Sequence, residues 1–182
     1  MKKSKEIKTK RLLLKSFDST DFEVMKSLLC NNEISKTYMI PTFSSEEEVI
    51  KLFRTLKDFS TSDDHFVYGI YYRGNLIGFI NDTETDAELI EVGYVISPDM
   101  KNQGFATEAL ISAIQELFRM GYFVVRAGCF ESNIASKRVM EKSGMQLIDK
   151  TEDVEYRGEL HHCIYFEIKQ EYRDLRVKKT IN

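Results

Sequence analysis

Apolar and polar positions along the chain change period several times, and each change predicts an element. Arg11–Phe17 (RLLLKSF) is a short apolar run that predicts a strand. Capped by Asp18, Ser19 or Thr20, a helix follows to about Leu29, with Phe22, Met25, Leu28 and Leu29 at helical spacing, and Asn31-Asn32 ends it. Ile34–Phe43 is irregular and Pro41 blocks a helix there; its Tyr38, Met39, Ile40 and Phe43 either wall a substrate cleft or cover the core. Ser44 with Glu47, and Ser45 with Glu48, read as capping boxes that open a second helix to about Phe59, with Val49, Leu52, Phe53 and Leu56 in register.

The middle of the chain predicts a hairpin. Phe66–Tyr72 and Leu76–Ile80 are strands joined at Arg73-Gly74-Asn75. NDTETDAE is an acidic connector to a strand at Leu89–Ile96. A proline turn and a polar loop lead into a helix from Ala106, whose Ala109, Leu110, Ala113, Ile114, Leu117 and Phe118 share a face until Gly121 stops it. Phe123–Phe130 is apolar nearly throughout and predicts a strand covered on both faces. Strand, helix and strand of these lengths make a right-handed crossover with parallel strands. Asn133 caps a further helix to about Ser143, closed by Gly144, and strands follow at Gln146–Tyr156 and His162–Ile168.

The pattern predicts an α/β fold of one domain over residues 9–170: a mixed, mostly antiparallel sheet with one parallel pair, flanked by helices. Residues 1–8 and 171–182 are expected to be flexible tails. Composition is that of an ordinary globular chain: 182 residues, 42% hydrophobic and 30% charged. A net charge of −3 argues against a nucleic-acid partner, which would demand a basic surface. No apolar run reaches membrane-spanning length, and MKKSKEIKTKR lacks the apolar core of a signal peptide. Cys30, Cys129 and Cys163 have no metal-site spacing, so they read as reduced thiols of a cytoplasmic protein and no metal is expected.

The candidate chemistry lies in Glu91–Leu110, EVGYVISPDMKNQGFATEAL. A strand that runs through a glycine loop into a helix N-terminus offers free N–H groups and a positive dipole end to an anion. KNQGFAT lacks the GK[ST] of a Walker loop and the three glycines of a dinucleotide fingerprint, which argues against ATP, GTP and NAD. Asn133-Ile-Ala-Ser136 opens the next helix just after the parallel partner strand, so both loops lie at the carboxyl edge of the pair.

Together, GYVISPDMKNQGFATEALISA and NIASKRVMEKSGM make the chain resemble the GCN5-related N-acetyltransferases, in particular the RimJ/RimL-type ribosomal-protein N-terminal acetyltransferases, from about Thr9 to Ile168. The resemblance implies acetyl transfer from acetyl-CoA to a primary amine by direct attack in a ternary complex. The family's phosphate signature maps onto Lys101, Asn102, Gln103, Gly104, Phe105 and Ala106, with Thr107 beside it. Lys101 and Asn102 depart from the family's usual Gln or Arg and Gly, yet a grip made of backbone amides survives side-chain changes. By the same resemblance, Val95 and Ile96 offer backbone groups to the pantetheine arm, Asn133 hydrogen-bonds it, and Ser136 sits near the sulfur. Lys137 or Arg138 either reaches the 3′-phosphate or is solvated.

An ammonium must lose its proton before it can attack a thioester, and a carboxylate can take it. Glu91, facing the same side as Gly93 and Val95, is either the candidate base or a strand-edge carboxylate in solvent or a salt bridge; Ser136, with Tyr156 second, is the candidate donor to the leaving sulfur. The N–H of Val95 or Ile96 is the candidate oxyanion donor. His161 and His162 point to opposite faces and His65 reads as structural. Acidic Glu84, Asp86 and Glu88 can draw a cationic acceptor. The expected acceptor is a protein N-terminal α-amine; a small amine (polyamine, amino acid or aminoglycoside) and a non-catalytic acyl-CoA-binding module are the alternatives. Such enzymes commonly dimerise, so a homodimer is an open expectation, although no patch in the sequence marks one.

Overall fold

The structure is a computed structural model that describes residues 2–170. It contains eight strands: β1 (Glu6–Lys8), β2 (Leu12–Lys15), β3 (Tyr68–Tyr72), β4 (Asn75–Thr85), β5 (Leu89–Ile96), β6 (Val124–Phe130), β7 (Gln146–Tyr156) and β8 (Glu159–Lys169). The helices are α1 (Phe22–Leu29), α2 (Asn32–Ser35), α3 (Glu46–Thr61), α4 (Phe105–Met120) and α5 (Ile134–Lys142). The strands form one sheet in the order β1-β2-β3-β4-β5-β6-β8-β7. Every neighbouring pair is antiparallel except β5–β6, so the mixed sheet with a single parallel pair is present as the sequence pattern implies.

Each sheet face carries its own apolar layer. Leu14, Tyr68, Ile80, Ile90 and Val125 pack against the Ala109, Leu110, Ala113 and Leu117 stripe of α4. Phe17, Phe79 and Val95 on the other face pack against Met25, Leu28, Val49 and Phe53 of α1 and α3. The alternation of side chains along each strand is what divides the core in this way.

Several expectations need correction. The N-terminal segment is tied down: β1 pairs with β2, the Ser4 N–H donates to Glu116 at 2.6 Å, and Lys3 Nζ donates to the carbonyls of Phe59 and His65. Its polar sequence conceals this because the anchors are hydrogen bonds rather than apolar contacts. Most of the acidic connector after Ile80 is instead the end of β4, to Thr85, which keeps pairing with β5 through a bulge at Thr83 and leaves only Asp86, Ala87 and Glu88 as the connection. Neither expected capping box forms at α3: Glu48 accepts from the Ser44 N–H, four residues back rather than three, and Ser45 makes no side-chain cap bond. In β6, Val125, Ala127 and Cys129 are buried, whereas Gly128 on the opposite face is exposed. The apolar run there reflects one core face and one face opening onto a cleft. The expected tail at 171–182 lies outside the described residues. No helix among the described residues is long and apolar enough to cross a membrane.

Candidate active site

β5 and β6 pair over only three rungs, Leu89↔Val124, Ile90↔Val125 and Glu91↔Arg126. Beyond Glu91 the strands part, and a cleft of about 510 Å³ fills the fork. Gly93, Tyr94, Val95 and Ile96 line one side, Gly128 the other, and the N-termini of α4 and α5 close its far end. Both glycines have a steric reason. A Cβ on Gly93 would lie 2.8 Å from the Tyr38 hydroxyl, and one on Gly128 would lie 2.7 Å from the Tyr165 ring.

The polar loop is built to present backbone. Pro98–Met100 makes one 3₁₀ turn, after which Asn102 (φ 61°) and Gly104 (φ 78°) both take the left-handed conformation. Asparagine tolerates that region better than most residues, so the departure at this position does not distort the loop. Gly104 is the N-cap of α4 and no side chain caps that helix. The first-turn N–H groups and the positive dipole end therefore face the cleft, which is what an anionic phosphate requires. Lys101, Asn102, Gly104, Phe105, Ala106 and Thr107 all line it. Gln103 does not: its side chain approaches the Met100 sulfur at 3.9 Å, and its carbonyl accepts from Arg11. Phe105 is buried against Tyr72, so it too brings only backbone to the cleft. The Lys101 ammonium reaches Glu33 at 3.2 Å.

Arg11 is a supporting residue that periodicity passes over, because it reads there simply as the start of a strand. Its guanidinium donates to the Gln103 carbonyl at 2.8 Å and to Glu108 at 2.7 Å, and it stacks over the Phe105 ring. Burial opposes ionisation of Glu108, but hydrogen bonds from Thr9 and Arg11 outweigh it and hold the carboxyl below its ordinary range. A single side chain thus braces both ends of the turn.

Asn133 caps α5 by accepting from the Ser136 N–H at 3.1 Å, while its Nδ2 points at the Thr37 carbonyl, 3.4 Å away. Ser136 lines the cleft in the first turn of α5. Tyr94, which sequence reasoning passed over, donates to the Ser136 carbonyl at 3.3 Å, and burial raises its phenol well above the usual range. Val95 buries its side chain in the α1–α3 layer and gives the cleft its backbone.

Glu91 stands at the vertex of the fork, with its side chain 15% exposed. Burial raises its pKa; the Lys150 charge, the Thr83 hydrogen bond and Arg126 pull the other way without cancelling it. The bulged Thr83 donates to Oε1 at 3.2 Å, and Lys150 Nζ lies 3.9 Å from Oε2. The remaining candidates fall into structural roles. The Tyr156 hydroxyl accepts from the Ile40 N–H and donates to the Ile40 carbonyl at 3.0 Å, so it clasps the β7–β8 hairpin to the segment after α2. His65 stacks on Phe59 and pairs with Asp82, His162 pairs with Asp153, and His161 stacks on Phe130. Glu84 reaches Arg126 at 3.9 Å, while Asp86 belongs to the turn before β5. Cys129 is a core thiol that burial pushes up to about 11.

A parted parallel pair that leads to an uncapped helix N-terminus has the shape and polarity to take a long molecule with a phosphate at one end. The sequence matches the acetyltransferase (GNAT) domain over residues 11–146. It is 31% identical over 142 residues to YnaD of Bacillus subtilis (strain 168), an uncharacterized N-acetyltransferase, covering 77% of this chain and 82% of YnaD. A GNAT-family acetyltransferase from Bacillus anthracis superposes with a TM-score of 0.78 at 24% identity, over 90% of this chain and 98% of that one. RimL, a ribosomal alpha-N-protein acetyltransferase, in complex with coenzyme A gives 0.80 at 18% identity, over 90% and 97%. The chain belongs to the GNAT family of acetyltransferases, and it shares its fold with RimL-type enzymes.

Proposed function

We propose that the chain moves the acetyl group of acetyl-CoA to a primary amine by direct attack in a ternary complex, with a protein N-terminal α-amine as the acceptor. The observation that carries this reading is the continuity of the fork: one cleft joins the uncapped α4 N-terminus to Gly93 and Gly128, next to Glu91. The pyrophosphate is held by the backbone of Lys101, Asn102 and Gly104–Thr107. The pantetheine arm runs between the parted strands beside Val95, Ile96 and Asn133. RimL has been described with coenzyme A, and the microcin C7 self-immunity acetyltransferase MccE with acetyl-CoA and AMP, on this same fold.

Glu91 takes one proton from the acceptor ammonium. The freed nitrogen lone pair forms the C–N bond at the thioester carbonyl, whose oxygen faces the N–H of Val95 or Ile96. The C–S bond breaks, and the second amine proton passes to the sulfur, where Ser136 is the nearby donor. A raised pKa on Glu91 suits this task, because a stronger base accepts a proton more readily from an amine. The Tyr156 clasp draws the hairpin and the segment after α2 together, which favours a small amine as the second reading of the acceptor.

A panel of peptides with free N-termini and of small amines, read by CoA release, tests the proposal. Release with peptides supports the first acceptor, and release with small amines alone supports the second. Full CoA release from Glu91→Gln would remove Glu91 as the base, and acetyl-CoA binding with no CoA release from any amine would leave only acyl-CoA binding.

A further inference from the structure

On the face of the sheet opposite α4, one ammonium already sits beside Glu91. Between Leu147 and Thr151 the β7 chain advances four residues while β8 advances only two, from Phe166 to Ile164. This bulge lies opposite Tyr165 and carries Lys150 over the ring, its Nζ 4.1 Å from the ring centroid. The same Nζ faces Glu91 Oε2 at 3.9 Å, the oxygen that Thr83 leaves free. The Tyr165 hydroxyl donates to Glu152 at 2.9 Å, which enriches the ring and strengthens its hold on a cation. The ring also rests on Gly128, a wall of the acetyl-CoA cleft. A primary ammonium, an aromatic face, a carboxylate with a raised pKa and the cleft wall therefore meet at one point.

Resting on the transferase reading above, we propose that the Tyr165 face beside Glu91 is the seat of the acceptor's ammonium group, and that Lys150 fills it as an internal stand-in until the acceptor displaces it. The seat takes a primary alkylammonium, in which a single charged nitrogen offers protons to Glu91 while its carbon side lies on the ring. Acceptor and Lys150 compete for the same two partners, so Lys150 sets the acceptor's apparent affinity. Lys150 is 36% exposed on its side chain and has solvent to swing into.

The test uses the full chain with acetyl-CoA and two probes, n-butylamine and the tripeptide Ser-Ala-Ala amide, read by CoA release, with calorimetry of acetyl-CoA binding alongside. Lys150→Met should lower KM for the amine about fivefold and Tyr165→Leu should raise it about fivefold, both leaving acetyl-CoA affinity within about twofold. Melting curves identify any variant that fails to fold, and Tyr165→Phe, which keeps the ring, should stay within about threefold of wild type. An unchanged or raised KM in Lys150→Met overturns the seat, as does an unchanged KM in Tyr165→Leu. Absence of acetyl-CoA binding, or acetyl-CoA binding with no turnover of either amine, overturns the transferase reading and the seat with it, whereas turnover with an unmoved KM overturns the seat alone.

Discussion

Glu91 and Arg126 form the last rung of the only parallel ladder in the sheet, and the cleft begins where that rung ends. Their side chains share a face but not a partner. Arg126 is bound to Glu167 at 2.7 Å, and Glu91 is left with Thr83 and Lys150. A carboxylate at a vertex, desolvated but not neutralised by its nearest arginine, keeps the capacity to take a proton.

Glu91→Gln keeps the shape and removes the proposed base. Turnover should fall about a hundredfold or more, with acetyl-CoA affinity unchanged. Folded Glu91 has a raised pKa, so above its unfolded value the buried charge costs stability. The Gln variant should therefore melt no lower than wild type at neutral pH. Thermal melts beside kinetics check both halves, and a lower melting point with intact turnover would contradict them.

The pH profile carries the same sign. With Glu91 as the proposed base, kcat/KM should rise with pH through an apparent pKa above the ordinary carboxylate range. The Lys150 charge favours the ionised form. Lys150→Met should move that limb of the profile to higher pH, and a shift to lower pH would count against Glu91 as the titrating group.

Arg11 braces the phosphate loop from outside the cleft through Gln103, Glu108 and Phe105. Arg11→Ala should weaken acetyl-CoA binding about tenfold, because two charge-assisted hydrogen bonds that fix the loop are lost together. The amine KM, measured at saturating acetyl-CoA, should change far less.

Tyr156→Phe removes the clasp to Ile40: the Ile40 carbonyl loses the hydroxyl that donates to it, while the Ile40 N–H keeps the Tyr38 carbonyl at 2.9 Å. A stability loss of about 1 kcal/mol is expected, together with a changed KM for the acceptor. Acetyl-CoA affinity should hold, since Tyr156 does not line that cleft.

The outline of the fold was legible because apolar period encodes it: Leu89–Ile96 and Gln146–Tyr156 stand as strands within their expected limits, and α4 begins one residue before Ala106. Glycine and asparagine marked the loop, since left-handed backbone at Asn102 and Gly104 demands such residues. What period cannot carry is a contact between distant segments. Arg11 to Gln103, Tyr156 to Ile40 and Lys150 to Tyr165 each join elements far apart in sequence. The bulges at Thr83 and before Thr151 were equally hidden, because the extra residues that re-aim side chains leave no mark on an alternation already broken by polar residues. Polar anchoring of Lys3 and Ser4 was invisible for the same reason.

Calorimetric titration of acetyl-CoA into wild type, Glu91→Gln and Gly104→Trp tests the fork most directly. Wild type and Glu91→Gln should bind alike. Gly104→Trp should lose binding, because a side chain at a left-handed N-cap strains the loop, and its Cβ would lie 3.4 Å from the Arg11 guanidinium that braces it. No binding by the wild type, or unaltered binding by Gly104→Trp, would contradict the assignment of the parted β5–β6 pair as the acetyl-CoA site.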